Sequence, residues 1–239
     1  MIEDEINRVE GIGKKSTYSD GINGQITKLA YQEVRQYITG RILELGPAEG
    51  IMTLEMVESG LTPDLVEGSA TLATELSRRY PNLDVSHQLF EDFEPKTRYD
   101  TIIMGHVLEH VIDPIQILRR YKNFLTPQGK IWASVPNANS IHRQAAVEMG
   151  MLSDVTSLNE ADIRHGHRRV YTPEAFQSTF QSSGFEILKF GGYWLKPLSN
   201  AQIQETWTEE MVRAFCAMGR KYPEISGEMY IVASVESGE

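Results

Sequence analysis

The chain has little cysteine and no long apolar run, and both absences limit what it is. Cys216 is the only cysteine among 239 residues, so no disulfide can form within the chain. A single thiol in a helical pattern is usually a small core residue. No stretch approaches the ~20 apolar residues of a membrane-spanning helix, and the acidic, polar segment 1–10 differs from a secretory signal peptide. We therefore expect a cytoplasmic protein without a membrane partner.

Basic residues are also scarce relative to acidic ones. Lys and Arg number 23 against 33 Asp and Glu, which gives a formal net charge of −10. This balance argues against a nucleic-acid partner, which needs a basic face, and the chain has no Asn-Pro-Pro-aromatic motif for a flipped base. Its length suits one large α/β core. We expect residues 1–239 to form a single domain with a small-molecule partner.

The most informative stretch is residues 42–50. A short apolar run over 42–45 predicts a buried parallel strand, and apolar residues recur at helical spacing from Ile51 onward. Gly46 and Gly50 lie between the two elements, where backbone without a Cβ can approach a ligand. A strand, a tight glycine turn and a helix form the ligand crevice of an open α/β sheet at its carboxyl edge.

The rest of the chain alternates in the same way. Short apolar strands and helical patterns follow one another up to Pro136, which predicts right-handed βαβ units and a parallel sheet. After Pro136 the rhythm changes, and residues 137–171 read as an insertion with one helix near 141–151 and a polar loop. An insertion at this edge is well placed to cover a substrate. Residues 1–40 predict a polar arm and a helix that together form a lid.

Glu67 lies 17 residues after Gly50, at the end of the predicted second strand. An acid at this place accepts hydrogen bonds from both ribose hydroxyls of a nucleoside cofactor. Enzymes that use nicotinamide dinucleotides and enzymes that use S-adenosylmethionine (SAM) share this device. Glu67 alone therefore leaves both cofactors open.

Segments further along the chain distinguish the two cofactors. They are Tyr99-Asp100-Thr101-Ile102-Ile103 followed by Val107-Leu108-Glu109-His110-Val111-Ile112-Asp113-Pro114, then Leu125-Thr126-Pro127-Gln128-Gly129-Lys130, and Val135-Pro136-Asn137. Over about residues 30–190 the chain resembles the class I SAM-dependent methyltransferases that act on small molecules, and is similar to the ubiquinone-biosynthesis O-methyltransferases. The resemblance implies a Rossmann-like sheet of seven mostly parallel strands with helices on both faces. Its last strand, at about 228–236, would be antiparallel.

The same resemblance implies a set of cofactor contacts. SAM would be the cofactor and S-adenosylhomocysteine the product. The turn after the first strand would hold the methionine end, Glu67 and Gly68 the ribose, and the end of the third strand the adenine. Leu89 stands where the family often has Asp, so the adenine would be contacted by the backbone, by stacking on Phe90 or by Glu91. The implied cofactor residues are Glu44, Gly46, Ala48, Gly50, Glu67, Gly68, Leu89, Phe90, Glu91, Gly105 and His106.

Catalysis with SAM depends mainly on alignment, because the sulfonium is already a strong electrophile. A hydroxyl acceptor also benefits from a general base, and His titrates in the useful range. The candidates for this base are His167, His165 and His106. Arg168 and Arg169 are candidates to bind an anionic part of the acceptor. We expect three further residues to contact the acceptor, namely Tyr171, Asn137 and Trp194.

Two weaker patterns remain. Tyr18 and Tyr31 are candidates to close over the cofactor, although Tyr on a helix face more often packs in the core. His106, Glu109 and His110 would share one face of a helix. In the ubiquinone-biosynthesis enzymes the matching positions are acidic, acidic and His, and support a metal. Because His106 replaces the first acid, we assign no metal ligands and keep a divalent metal as the alternative.

These observations predict a SAM-dependent methyltransferase that acts on a hydroxyl of a small polar metabolite, such as a sugar, a nucleotide-linked metabolite or a natural-product intermediate. One alternative is an N-methyltransferase for a small amine, which needs little help from a base. The other is a SAM-binding regulatory subunit without catalysis. A homodimer is compatible with the sequence, which does not define the oligomeric state.

Overall fold

The computed structural model describes residues 2–16, 19 and 21–235. Within them the chain forms a sheet of seven strands. They are β1 (Ile42–Leu45), β2 (Asp64–Glu67), β3 (Val85–His87), β4 (Tyr99–Gly105), β5 (Leu125–Pro136), β6 (Phe185–Tyr193) and β7 (Glu228–Val235). The helices are α1 (Ile2–Gly13), α2 (Gly21–Val34), α3 (Ile51–Glu58), α4 (Ala70–Arg79), α5 (Pro114–Lys122), α6 (Ile141–Glu148), α7 (Glu160–His165), α8 (Pro173–Ser182), α9 (Asn200–Thr206) and α10 (Glu209–Lys221).

The strand order in the sheet is β3-β2-β1-β4-β5-β7-β6. The pairs from β3 through β5 are parallel, and β7 runs antiparallel to both β5 and β6. The order reverses between β1 and β4, and ligands of open α/β sheets bind at the carboxyl ends of strands at such a point. This topology confirms the predicted fold class, including its antiparallel last strand.

Helices cover both faces of the sheet because successive strand residues point to opposite sides. Leu43, Ile102 and Ile131 are cross-strand partners and belong to the core layer that α5 and α8 complete. Ile103 and Trp132, one position further along their strands, belong to the opposite layer with α2, α3 and α10. Both layers are fully buried, which fixes the register of the central strands.

Two helices lie where the sequence analysis expects irregular segments. The polar arm contains α1, and the polar part of the insertion contains α7. Asn159 caps α7 by accepting a hydrogen bond from the Asp162 amide, while the Asp162 carboxylate accepts one from the Asn159 amide. Such reciprocal capping stabilises short helices with a weak apolar pattern.

The positions of Cys216 and Tyr31 in the fold agree with the core roles expected for such residues. Cys216 is a buried thiol of α10. Tyr31 is buried in the layer formed with α2 and so packs in the core, while Tyr18 lies outside the described residues. Among the helices that the structure describes, none is both long and apolar enough to cross a membrane.

Candidate active site

The turn after β1 has the backbone conformation of a ligand-binding loop. Gly46, Ala48 and Gly50 have φ values of 62°, 50° and 74°, which lie in the left-handed region where glycine is favoured. Ala48 adopts this conformation with a methyl group. Gly50 caps the N-terminus of α3, and a Cβ there would lie 2.8 Å from Leu76 Cδ2. The sequence assigns Gly50 to the cofactor, whereas its contacts give it a packing role.

Glu67 joins this turn to the start of α4. Its Oε2 accepts a hydrogen bond from the Ala48 amide at 3.2 Å, and its Oε1 accepts one from the Ser69 amide at 2.8 Å. Burial raises the pKa of the Glu67 carboxyl, and the amide hydrogen bonds oppose that shift. The carboxylate thus lies at the carboxyl end of β2, held in one orientation.

Two cavities open on either side of the turn, and both are lined by Gly46, Ala48 and His106. The first encloses about 790 Å³ including its mouth, and the ends of β2 and β3 line it through Glu67, Gly68, Leu89, Phe90 and Glu91. The second encloses about 650 Å³. Its lining includes Glu44, Gly105, Ser134 and Tyr193. Together the two cavities contain every predicted cofactor residue except Gly50.

Helix α1 roofs the first cavity, and sequence reasoning did not identify its residues. Val9 and Ile12 line the cavity, and their spacing of three is the local signal for an apolar helix face. The Glu10 carboxylate accepts hydrogen bonds from the hydroxyls of Ser69 at 2.8 Å and Thr71 at 2.5 Å. Those bonds lower the pKa of Glu10 to about 2. The predicted lid is therefore a helix tied to the N-terminus of α4.

The second cavity contains a buried acid. Thr53 donates a hydrogen bond of 2.6 Å to Oε2 of Glu44. Burial raises the pKa of Glu44 to about 7, although the hydrogen bond from Thr53 opposes the rise. A cation that enters this cavity would favour the ionised carboxylate.

His106 lies where the cavities meet, directly after β4, with a φ of 56°. Its Nδ1 is 3.0 Å from Oε1 of Glu109, and its Nε2 is 3.6 Å from Oε2 of Glu228. Burial disfavours the charged imidazole, but the carboxylates of Glu228 and Glu109 outweigh it and raise the pKa of His106 to about 9. The imidazolium is therefore the stable form at neutral pH.

The other two predicted bases, His165 and His167, lie in and just after α7. Nδ1 of His167 is 3.2 Å from Oδ1 of Asp162, and its ring stacks edge-on against His110 with centroids 4.9 Å apart. The ring centroids of His165 and His167 are 6.2 Å apart, and burial lowers the pKa of His165. Neither His165 nor His167 lines the two cavities of the described residues.

The predicted arginine contacts are already made within the chain. Arg169 donates to the carbonyl oxygens of Leu108, Val111 and Ile112, the loop that follows β4. Arg168 donates through Nε to the His110 carbonyl at 2.9 Å, and its Nη2 pairs with Glu5 of α1 at 2.6 Å. These contacts hold the loop and the lid in place, and they account for both guanidinium groups without an acceptor.

The remaining predicted acceptor contacts also have structural roles. The Asn137 amide donates to the carbonyls of Glu224 and Ser226 at 3.0 and 2.9 Å. Tyr171 is buried and donates to the Leu108 carbonyl, and Trp194 is buried among apolar residues with a φ of 66°. Packing and hydrogen bonds to the backbone are therefore enough to explain why these three residue types occur at these positions.

One group of acids and histidines has the arrangement of metal ligands. Glu109, His110 and His167 each offer one ligand atom within 4.8 Å of the others. The loop after β4 consists of turns, so the helical face predicted for His106, Glu109 and His110 does not form. Instead the third ligand atom comes from His167, in the insertion.

The chemistry of this group suits a divalent metal. Glu109 Oε2 and His167 Nε2 are buried and have no hydrogen-bond partner among the described residues. Asp162 on Nδ1 of His167 is the outer carboxylate that orients a ligating imidazole. A bound metal would supply Lewis acidity that favours an ionised acceptor oxygen.

Comparison with known proteins identifies the class. Residues 15–189 match the family of methyltransferase domains. The ubiquinone biosynthesis O-methyltransferase of Xanthomonas euvesicatoria pv. vesicatoria (strain 85-10) is 30% identical over 192 residues, which cover 76% of this chain and 78% of that protein. The enzyme of the same name from Aeromonas salmonicida (strain A449) is 25% identical over 166 residues, or 67% of this chain and 68% of that protein.

Solved structures share the fold. The glycopeptide N-methyltransferase MtfA complexed with SAM has a TM-score of 0.59 and 13% identity, covering 88% of this chain and 87% of its own. The CcbJ methyltransferase from Streptomyces caelestis has a TM-score of 0.61 and 13% identity, covering 88% and 90%. Sheet order and site define a class I SAM-dependent methyltransferase. The chain belongs to the methyltransferase domain family, the enzyme class that the sequence predicts.

We expect Glu67→Gln to weaken binding of S-adenosylhomocysteine by about tenfold or more, because hydrogen bonds to a carboxylate contribute about 1.5–3 kcal/mol. Isothermal titration calorimetry measures the change. Glu58→Gln, at the exposed end of α3, is the matched control and should bind as the unchanged protein does. An affinity of Glu67→Gln within threefold of the control would contradict the assignment.

A second prediction concerns proton release. Because the pKa of Glu44 is about 7 in the free protein, the cationic amino-acid end of the ligand should displace a proton from its carboxyl. We expect affinity for S-adenosylhomocysteine to rise from about pH 5.5 to about pH 7.5 and then level off. Titrations in buffers of different ionisation enthalpy count the released proton, and Glu44→Gln should release none.

The third prediction is metal binding by Glu109, His110 and His167. Calorimetric titration with Zn²⁺ alone should reveal one site, and His167→Ala should weaken it by more than the roughly 10–100-fold typical of outer-shell changes. His87→Ala, on the exposed end of β3, serves as the control. Equal Zn²⁺ affinity in both variants would rule out this site.

Proposed function

We propose that this methyltransferase transfers the methyl group to a hydroxyl of a small polar metabolite. The observation that carries the proposal is a cluster built on His106, which lines both cavities and faces the carboxylates of Glu109 at 3.0 Å and Glu228 at 3.6 Å. A hydroxyl must lose its proton as its oxygen attacks the methyl group, and carboxylate and imidazole groups are the side chains that take part in such transfers. The curated relatives described above are ubiquinone biosynthesis O-methyltransferases, and they support oxygen as the atom that accepts the methyl group.

The cavities suggest how the cofactor lies. The adenosine half would occupy the first cavity, with the ribose at Glu67 and the adenine beside Phe90 and Glu91. The amino-acid half would occupy the second cavity near Glu44. The sulfonium would then lie at the shared wall of Gly46, Ala48 and His106, so the transferable methyl group would lie beside His106, whose Nε2 is 3.6 Å from Oε2 of Glu228.

The chain's contribution to the reaction is mainly placement. Holding the acceptor oxygen in line with the methyl carbon converts a bimolecular encounter into a step within one complex. Helix α1 above the first cavity and the insertion that carries His167 would keep water from the sulfonium. The two ion pairs of His106 keep its ring in one orientation between them.

The proposal extends to the acceptor's polarity. An acceptor that reaches this cluster would meet buried polar groups rather than an apolar wall, because the Ser134 hydroxyl and the Glu228 carboxylate are both buried there. Buried polar groups favour a ligand that can hydrogen-bond to them. A sugar, a nucleotide-linked metabolite or a natural-product intermediate has this chemistry. A cytoplasmic location and a homodimer stay predictions.

Methyl transfer from isotopically labelled SAM to a panel of acceptors tests the proposal. The panel pairs each hydroxyl compound with its amine analogue, across simple sugars, sugar nucleotides and catechols. We expect a mass gain of one methyl group on hydroxyl compounds, with the label on oxygen by mass spectrometry and NMR. Transfer to the amine analogues alone would replace the proposal with N-methylation. Binding of SAM without transfer to any member would contradict it.

A further inference from the structure

The geometry points to Glu228 as a catalytic carboxylate, the group that takes the proton of the acceptor hydroxyl. This inference rests on the proposed O-methylation. No sequence motif marks this residue, which lies more than 90 residues beyond Asn137, the end of the recognisable segments. It is brought to the site only by the way β7 inserts into the sheet.

The sheet register places Glu228 at the carboxyl edge of the parallel strands, where the two cavities open. It is the first residue of β7, and its cross-strand partners are Pro136 at the end of β5 and Tyr193 at the end of β6. Because β7 runs antiparallel, its N-terminal end lies at the carboxyl edge of β5, next to His106. The backbone of Glu228 is also fixed there, because its carbonyl accepts a 2.7 Å hydrogen bond from the Ser226 hydroxyl.

The side chain is enclosed but unsatisfied. Only 13% of it is exposed, and its Oε2 has no hydrogen-bond partner among the described residues. The nearest cation is His106, whose Nε2 is 3.6 Å away, which is longer than a hydrogen bond. A buried carboxylate oxygen without a donor is costly, and an acceptor hydroxyl supplies the missing donor.

The surrounding charges suit a group that gains a proton during the reaction. Charged or titratable groups act on Glu228 from three other segments: His106 and Glu109 after β4, Lys196 after β6, and His167 in the insertion. Burial raises the pKa of the Glu228 carboxyl, while His106 and Lys196 oppose the rise. The Glu228 carboxylate therefore accepts a proton more readily than an exposed Glu does.

His106 itself is less suited to this role. Both nitrogens of its imidazole already face carboxylates, Nδ1 that of Glu109 at 3.0 Å and Nε2 that of Glu228 at 3.6 Å. It acts instead as a positioning residue that holds the carboxylate beside the methyl group. The Lys196 ammonium donates to Asn200 Oδ1 at 2.8 Å and adds a second cation near Glu228.

The step balances as follows. The O–H bond of the acceptor breaks and its proton moves to a Glu228 oxygen. The acceptor oxygen forms a bond to the methyl carbon, the carbon–sulfur bond breaks, and its electron pair stays on sulfur. The products are the methyl ether, neutral S-adenosylhomocysteine and a protonated Glu228, which returns its proton to water after release.

Glu228→Gln, Glu228→Asp and Glu224→Gln test the inference. Glu224 is exposed in the turn just before β7 and provides the matched control. The readouts are calorimetric affinity for S-adenosylhomocysteine and the pH profile of methyl transfer to the hydroxyl compound that reacts fastest. We expect Glu228→Gln to bind the product within about threefold of the control but to lose roughly 100-fold or more in kcat. Its profile should also lack the limb in which the rate rises with pH, and Glu228→Asp should keep that limb at a lower rate.

Two results would overturn the inference, and they have different meanings. If Glu228→Gln keeps its kcat and the rising limb while hydroxyl compounds are still methylated, Glu228 is not the base and O-methylation stands. If the unchanged protein methylates amines alone, or no compound at all while still binding S-adenosylhomocysteine, the proposed function fails and this inference fails with it.

Discussion

The hydrogen bonds that the Glu67 carboxylate accepts from the amides of Ala48 and Ser69 hold the cofactor site together. They tie the turn after β1 to the start of α4, so the ends of the first two strands form one rigid surface. Both cavities open from this surface, and α1 closes over it through Ser69 and Thr71. A buried carboxylate with two amide donors is a strong orienting element, because charged hydrogen bonds are stronger than neutral ones.

The charge of the site explains why it suits a sulfonium nucleoside rather than a dinucleotide. Glu44 and Glu67 line the two cavities, and Glu109 and Glu228 are enclosed next to His106. These carboxylates would repel a diphosphate, whereas a cationic cofactor would offset part of the free-energy cost of burying them. The glycine turn is common to both cofactor classes, so the acids around it distinguish them better than the turn does.

Local patterns predict what depends on neighbouring residues, and they fail where distant segments meet. The strand, the glycine turn and Glu67 follow from spacing within about 25 residues, and the fold prediction built on them is confirmed. The density of charge at Arg168 and Arg169 suggested an anion site, but these guanidinium groups bind backbone carbonyls some 60 residues earlier. Spacing carries no information about such contacts. Glu228 had no local signal for the same reason, because the β5–β7 pairing brings it to His106.

Asp162 shows what such shared contacts mean for changing this protein. Its carboxylate helps to cap α7, pairs with the buried Arg143 guanidinium at 3.0 Å and orients His167. A mutational screen scored only by turnover would therefore flag Asp162 although it lines neither cavity, because its loss would loosen the insertion and release the His167 ring. Met149 and Met151 of the same insertion are 65% and 72% exposed. Laboratory evolution toward new acceptors has more freedom at such positions than at a carboxylate on which three neighbours depend.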